Sequence, residues 1–149
     1  MKIALGNDHA AVEMKKFVKE YLTGLGHEVQ DVGTNEEVSC NYAVYGEKVA
    51  DIVAAKEADF GVLICGTGVG ISLAANKVPG IRAAVCSEPV TARLVKEHNN
   101  ANIIAFGARI VGNETAKAIL DAYMNAEFMG GHHSERVESI MAIEKKYKR

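Results

Sequence analysis

The sequence predicts an α/β fold: five parallel strands in one sheet, doubly wound with helices on both faces, and an extra helix at the C-terminus. Three observations carry that expectation. Short apolar runs alternate with amphipathic segments along the whole chain. Each run is followed by helical periodicity, the order that builds parallel crossovers rather than hairpins. And 149 residues is the length of a single domain, with little room for a second core.

Residues 2–6 (KIALG) read as a buried first strand. From Ala11, apolar Met14, Phe17, Val18, Tyr21, Leu22 and Leu25 recur at helical spacing, and Gly26 ends that helix. Residues 28–32 form the second strand, closed by Gly33, and 34–41 are polar and loop-like. Tyr45, Val49, Ile52 and Val53 mark a helix ending near Lys56. Residues 60–65 (FGVLIC) are the third and most apolar strand. A glycine loop, GTGVG at 66–70, leads into the short helix ISLAANK. Val78-Pro79-Gly80 is a turn, and 81–86 are the fourth strand. Pro89 suits the first turn of a helix running to about His98. Residues 102–106 are the fifth strand, and a helix runs from about Asn113 to Met124. After Gly130-Gly131 a last helix carries Val137, Ile140, Met141 and Ile143. It has no strand to cover and is free to reach a neighbouring subunit. Right-handed crossovers make the sheet doubly wound. The expected strand order is the flavodoxin-like 2-1-3-4-5, with residues 1–149 forming one domain.

Hydrophobic residues make up 48% and charged residues 24%, the balance of a globular protein. Seventeen Lys+Arg against nineteen Asp+Glu leave a net charge of −2, without the basic footprint of a nucleic-acid binder. No run of about 18 apolar residues spans a membrane, and the apolar start MKIALG is too short for a signal peptide. A compact cytoplasmic domain is the expectation. Cys40, Cys65 and Cys86 are too few and too irregular for a disulfide framework. No spacing suggests zinc, and adjacent His132 and His133 are poorly placed as two ligands from one element. No metal is expected from this spacing.

Ligands of such sheets bind beyond the carboxyl ends of the strands. Asp8 and His9 follow the first strand, Cys65 and Thr67 the third, Ser87 and Glu88 the fourth, and Arg109 the fifth. His98 and Asn99 precede the fifth strand and need a helix end to bring them round. GTGVG lets the backbone approach a ligand and offers free N–H groups for a phosphate or a developing oxyanion. It also serves as a tight strand-to-helix turn. It is neither a Walker loop nor the dinucleotide fingerprint. Cys65 sits directly before those dipoles, which favour its thiolate, whereas Cys40 and Cys86 read as small core residues. Asp8-His9 is an acid–imidazole unit or a helix cap. His98 is a reactive imidazole or a surface residue at a helix end. Arg136 shares a helix face with His133, as an anion clamp requires, or is a solvated charge.

Six segments together resemble the type B ribose-5-phosphate isomerases: GNDHAA at 6–11, DVGT at 31–34, ICGTGVGISLAANKVPGIRAAVC at 64–86, EHNNAN at 97–102, FGARIVG at 106–112 and GGHHSERV at 130–137. The wider family includes subunits of galactose-6-phosphate isomerase and enzymes acting on allose 6-phosphate. The resemblance implies aldose–ketose isomerisation through an enediolate, without metal or cofactor. It implies Cys65 as the base between C2 and C1, and Thr67 as the residue assisting proton movement at the sugar oxygens. Gly66, Thr67, Gly68, Val69 and Gly70 match the backbone anion hole. His98 matches the ring-opening residue, with Asp8 and Tyr42 near the sugar and Asn99 at the reacting oxygens. His9, Arg109 and Arg136 match phosphate ligands, with His132 and His133 beside them. It also implies a homodimer with shared sites, with a tetramer as the alternative, acting on a small sugar phosphate.

The sequence departs from the family pattern at three places. Asn41-Tyr42-Ala43 replaces aspartate-tyrosine-proline, Ala10-Ala11 replaces a glycine-containing pair, and GGHH replaces GGRH. His132 therefore stands where a phosphate-binding arginine is expected, which bears on substrate length. A six-carbon sugar phosphate is the alternative substrate, and a non-catalytic phosphate-binding module the alternative class. Cys65, Thr67 and His98 together speak for the enzyme; the absence of a nearby resolving cysteine speaks against a thiol-redox protein.

Overall fold

Strands made of consecutive apolar residues need cover on both faces, and the chain supplies helices for each. The protein's structure, a computed structural model, describes residues 1–147. Its strands are β1 (Lys2–Asn7), β2 (Glu28–Asp31), β3 (Phe60–Cys65), β4 (Ala83–Val85) and β5 (Ile103–Gly107). Its helices are α1 (Val12–Gly24), α2 (Tyr42–Ala54), α3 (Val69–Ala75), α4 (Pro89–Glu97), α5 (Asn113–Met124) and α6 (His132–Tyr147), and a single 3-10 turn, His9–Ala11, precedes α1. All strand pairs are parallel.

The strand order is β2-β1-β3-β5-β4, so the expected 2-1-3-4-5 is wrong in its last two places. Composition explains the exchange. β5 reads IIAFG and is buried at every residue, whereas β4 is three small residues, none buried. The strand without a polar or exposed face takes the interior position, and the short one is left at the edge. The chain therefore passes the β5 position on the way to β4, and α4 carries it back.

Two core layers result. Ile3, Leu5, Val62, Ile64, Ile104 and Phe106 face α1, α4 and α5. Ala4, Leu63, Cys65, Ile103 and Ala105 face α2 and α3. Successive strand residues thus point to opposite layers, as the pleat requires. Helix ends follow from local chemistry. Asn41 Oδ1 accepts the Ala43 N–H at 3.0 Å, so α2 begins at Tyr42, before the apolar periodicity starts. The Glu88 carboxylate accepts the Val90 and Thr91 N–H groups at 2.6 and 2.9 Å ahead of Pro89. Glu88 is therefore a cap. Cys86 is buried, and desolvation pushes its thiol up to about 11, as suits a core residue.

α6 differs from the other helices. Only His133 is buried on it, while Ile140, Ile143 and Tyr147 stay exposed. Glu144 reaches back to the Gly80 N–H at 3.1 Å, and between α6 and the β4 edge lies a cavity of about 770 Å³. Among the described residues, no helix is long and apolar enough to cross a membrane.

Candidate active site

The carboxyl end of the sheet gathers the first set of residues. Cys65 ends β3, is 4% exposed, and its Sγ accepts the Gly68 N–H at 3.1 Å. Gly68 has φ 82°, and a Cβ there would stand 2.8 Å from the Phe106 backbone, so glycine alone makes this turn. The loop is fastened to the end of β5: the Ala108 N–H donates to the Cys65 carbonyl at 2.8 Å and the Arg109 N–H to the Gly66 carbonyl at 3.0 Å. The Thr67 hydroxyl oxygen accepts the Val69 N–H at 3.2 Å, leaving its own hydrogen to donate outward. The Arg109 side chain lies over Gly66, and the Tyr42 ring lies over Gly70, where a Cβ would stand 2.6 Å from it.

Asp8 and His9 complete this end. Asp8 is buried and does cap: its Oδ1 accepts the Ala10 N–H at 3.0 Å. His9 Nδ1 accepts the Cys40 N–H at 3.2 Å, which leaves Nε2 to carry the ring proton of a neutral imidazole. Two buried residues hold the loop behind them. Asn7 Nδ2 donates to the Asp8 and Thr34 carbonyls at 2.9 and 3.0 Å. Lys15, 1% exposed, pairs with Asp31 at 3.0 Å and donates to the Thr34 carbonyl and Asn35 Oδ1 at 3.1 and 2.6 Å.

The second set lies at the other end. α4 runs against the strands, so His98, which closes it, sits beside the start of β5. The helix end does not bring His98 and Asn99 round to the thiol. Instead His98 stacks on His133 with ring centres 4.3 Å apart, and His132 lies 4.1 Å from His133 at 40°. Burial holds His133 below the usual histidine pKa, and nearby His132, His98 and Arg136 push the same way. The Met129 N–H donates to the Glu97 carbonyl at 3.0 Å, anchoring the approach to α6. Asn99, His132 and Arg136 are exposed. The five steps from Phe60 to Cys65 along β3, at about 3.3 Å each, separate the two sets by roughly 16 Å.

Sequence reasoning overlooked Asn7 and Lys15. Lys15 had a signal: with Ala11, Val18 and Leu22 it falls on the buried stripe of α1. Asn7 carried none beyond its neighbour Asp8. Among the described residues, no group of three or more His, Cys, Asp or Glu is placed to hold a metal ion.

A doubly wound parallel sheet with a buried thiol and a glycine loop at its carboxyl end is the setting of a small-molecule site. The family described as Ribose/Galactose Isomerase matches residues 3–140. Ribose-5-phosphate isomerase B of Escherichia coli is 51% identical over 145 residues, 97% of each chain. The LacB subunit of galactose-6-phosphate isomerase from Clostridium acetobutylicum is 47% identical, over 86% of this chain and 74% of that one. Among solved structures, ribose-5-phosphate isomerase B of Clostridium thermocellum superposes with a TM-score of 0.98 at 51% identity, covering 99% of this chain and 100% of that one. The Mycoplasma genitalium structure with bound ribulose 5-phosphate gives 0.93 at 37% identity, over 97% and 96% of the chains. The chain belongs to the ribose/galactose isomerase family, and its similarity is to the type B ribose-5-phosphate isomerases. It is an enzyme of the sugar-phosphate isomerase class.

Proposed function

We infer that this chain interconverts ribose 5-phosphate and ribulose 5-phosphate through an enediolate, with Cys65 as the base. The observation that carries the reading is the Cys65 Sγ at the buried end of β3, 3.1 Å from the Gly68 N–H. Taking a proton from C2 of an open aldose needs a base, together with donors aimed at the carbonyl oxygen where charge develops. Cys65 removes the C2 proton, the N–H groups of the 66–70 loop that are not engaged by Cys65 and Thr67 hold the resulting oxyanion, and the thiol returns the proton to C1. The outward Thr67 hydroxyl serves the sugar oxygens as protons redistribute there. His98 opens the furanose ring, with Asn99 at the reacting oxygens and Asp8 and Tyr42 beside the sugar. His9, Arg109, His132, His133 and Arg136 take the phosphate, arginine through its forked donors. The reaction belongs to pentose-phosphate metabolism in the cytoplasm.

A homodimer with shared sites is part of the same reading. Cys65 and His98 lie at opposite ends of one sheet, so a reaction using both draws them from two copies. The exposed Ile140, Ile143 and Tyr147 on α6 supply apolar surface for that association. A tetramer would be built from such dimers. One observation favours a second substrate: His132, shorter than the arginine of the family pattern, leaves room for a six-carbon phosphate.

The test is a side-by-side isomerisation assay with ribose 5-phosphate, allose 6-phosphate and galactose 6-phosphate, in wild type and Cys65→Ala. Ribose 5-phosphate is expected to turn over fastest. Cys65→Ala is expected to bind it but neither isomerise it nor exchange its C2 proton with deuterated solvent. A variant keeping a tenth of the wild-type rate, a barrier change of only about 1.4 kcal/mol, rules Cys65 out as the base.

A further inference from the structure

Arg82 stands just ahead of the edge strand β4, partly buried, and among the described residues no carboxylate lies within salt-bridge distance of it. Its guanidinium grips backbone instead. Nη2 donates to the Asn100 carbonyl at 2.8 Å, and Nε is shared between the Asn99 and Asn100 carbonyls, each at 3.2 Å. Nη1 faces Met141 Sδ on α6 at 3.4 Å. The backbone of Arg82 is itself fixed, its N–H donating to Asn102 Oδ1 at 2.8 Å.

The gripped residues directly follow His98. Asn100 has φ 47°, a left-handed conformation that only a few non-glycine residues adopt readily. Lys96 Nζ holds its side chain at 3.2 Å. Burial works against the charge of Arg82 and against that of Lys96 beside it. Glu144 favours the charge from nearby without touching it, so a half-buried cation lacking a direct ion pair is a costly way to satisfy two carbonyls. What a planar fork adds is direction: it fixes the turn and touches α6 from one point.

We propose that Arg82 is a positioning residue, holding the His98–Asn99 turn and α6 in register so that the imidazole set of one copy meets the Cys65 end of another. The proposal rests on the shared-site reading above. It makes Arg82 act with His98 and not with Cys65, although all three belong to one chain.

Mixed dimers test this, with two separately tagged chains co-expressed and purified through both tags. Cys65→Ala paired with His98→Ala is the control, and recovery of about half the wild-type turnover there reports one intact site of two. Cys65→Ala paired with Arg82→Gln is expected to recover to the same level. Arg82→Gln paired with His98→Ala is expected to stay at about a twentieth of the wild-type turnover or below, because both lesions lie in the same set. The Arg82→Gln homodimer is expected to lose about tenfold or more in kcat, with KM within about threefold. Arg82→Lys, which keeps the charge without the fork, should restore part of that loss, and it carries the pairings if Arg82→Gln does not assemble. Failure of the control overturns the shared site and this role with it. A working control with no recovery in the Cys65→Ala/Arg82 pair, or an unchanged kcat, overturns the role of Arg82 alone.

Discussion

The His98 and His133 imidazoles lie face to face, ring centres 4.3 Å apart and planes 8° from parallel. His133 is the buried member, and burial first, then the neighbouring His132, His98 and Arg136, disfavour its charged form. Folding therefore lowers its proton affinity, and the unfolded chain binds more protons than the folded one below the usual histidine pKa.

Stability is thus fully present above the usual 6.5 and is lost as the pH falls through the lowered folded value. Urea unfolding of the phosphate-free protein should show declining stability between about pH 7 and pH 5. His133→Phe keeps a stackable ring without a titrating group and should flatten that decline. Parallel pH curves for wild type and variant would show that His133 is not its source.

His132→Arg places a permanent, forked cation where the protein now has an imidazole. Ribose 5-phosphate should bind more tightly, with weaker pH dependence, while kcat changes little because the contact is remote from proton transfer. Allose and galactose 6-phosphates should bind less well. Equal effects on five- and six-carbon substrates remove the argument from side-chain length.

Gly70→Ala puts a methyl group 2.6 Å from the present Tyr42 ring. Tyr42 is partly exposed and can swing away, so thermal stability should hold while KM rises about fivefold to tenfold, on the scale of a lost contact of roughly 1 kcal/mol. The Gly70→Ala/Tyr42→Ala double variant should be no worse than Tyr42→Ala alone, since the two changes act through one contact. Additive losses in that cycle would mean that the methyl group acts elsewhere.

Lys15→Met leaves Asp31, which is only 11% exposed, with the more distant Lys19 at 3.5 Å and the Gly33 N–H, and removes a donor from the Thr34 carbonyl. Breaking such a pair costs about 3 kcal/mol, readable by urea denaturation, and Asp31→Asn on the same chain should recover part of it. A loss below about 1 kcal/mol would mean that water replaces the ammonium.

The layers of this fold were legible because they follow from local pattern. FGVLIC and IIAFG announce buried strands, and 11, 14, 18 and 22 announce the inner face of α1. The order of the last two strands is a competition between segments far apart in sequence, and it is decided by burial of β5 against the brevity of β4. At the site, Cys65 and its nest were legible because thiol and glycines are neighbours in the chain. The stack of His98 on His133 was not, since it joins two helices through a turn at 125–131 that carries no periodicity. Lys15 stood in plain view on an apolar stripe, yet the acid that makes its burial tolerable lies sixteen residues on.

The distance between thiol and imidazoles has a consequence for descent. Residues at the two ends of this sheet share no contacts, so after a gene duplication either end is free to decay in one copy while the other copy keeps it. On the shared-site reading, a pair of diverged chains then supplies one complete centre between them, and neither is expendable. Division of labour between duplicates is thus open to this sheet without any change in its core.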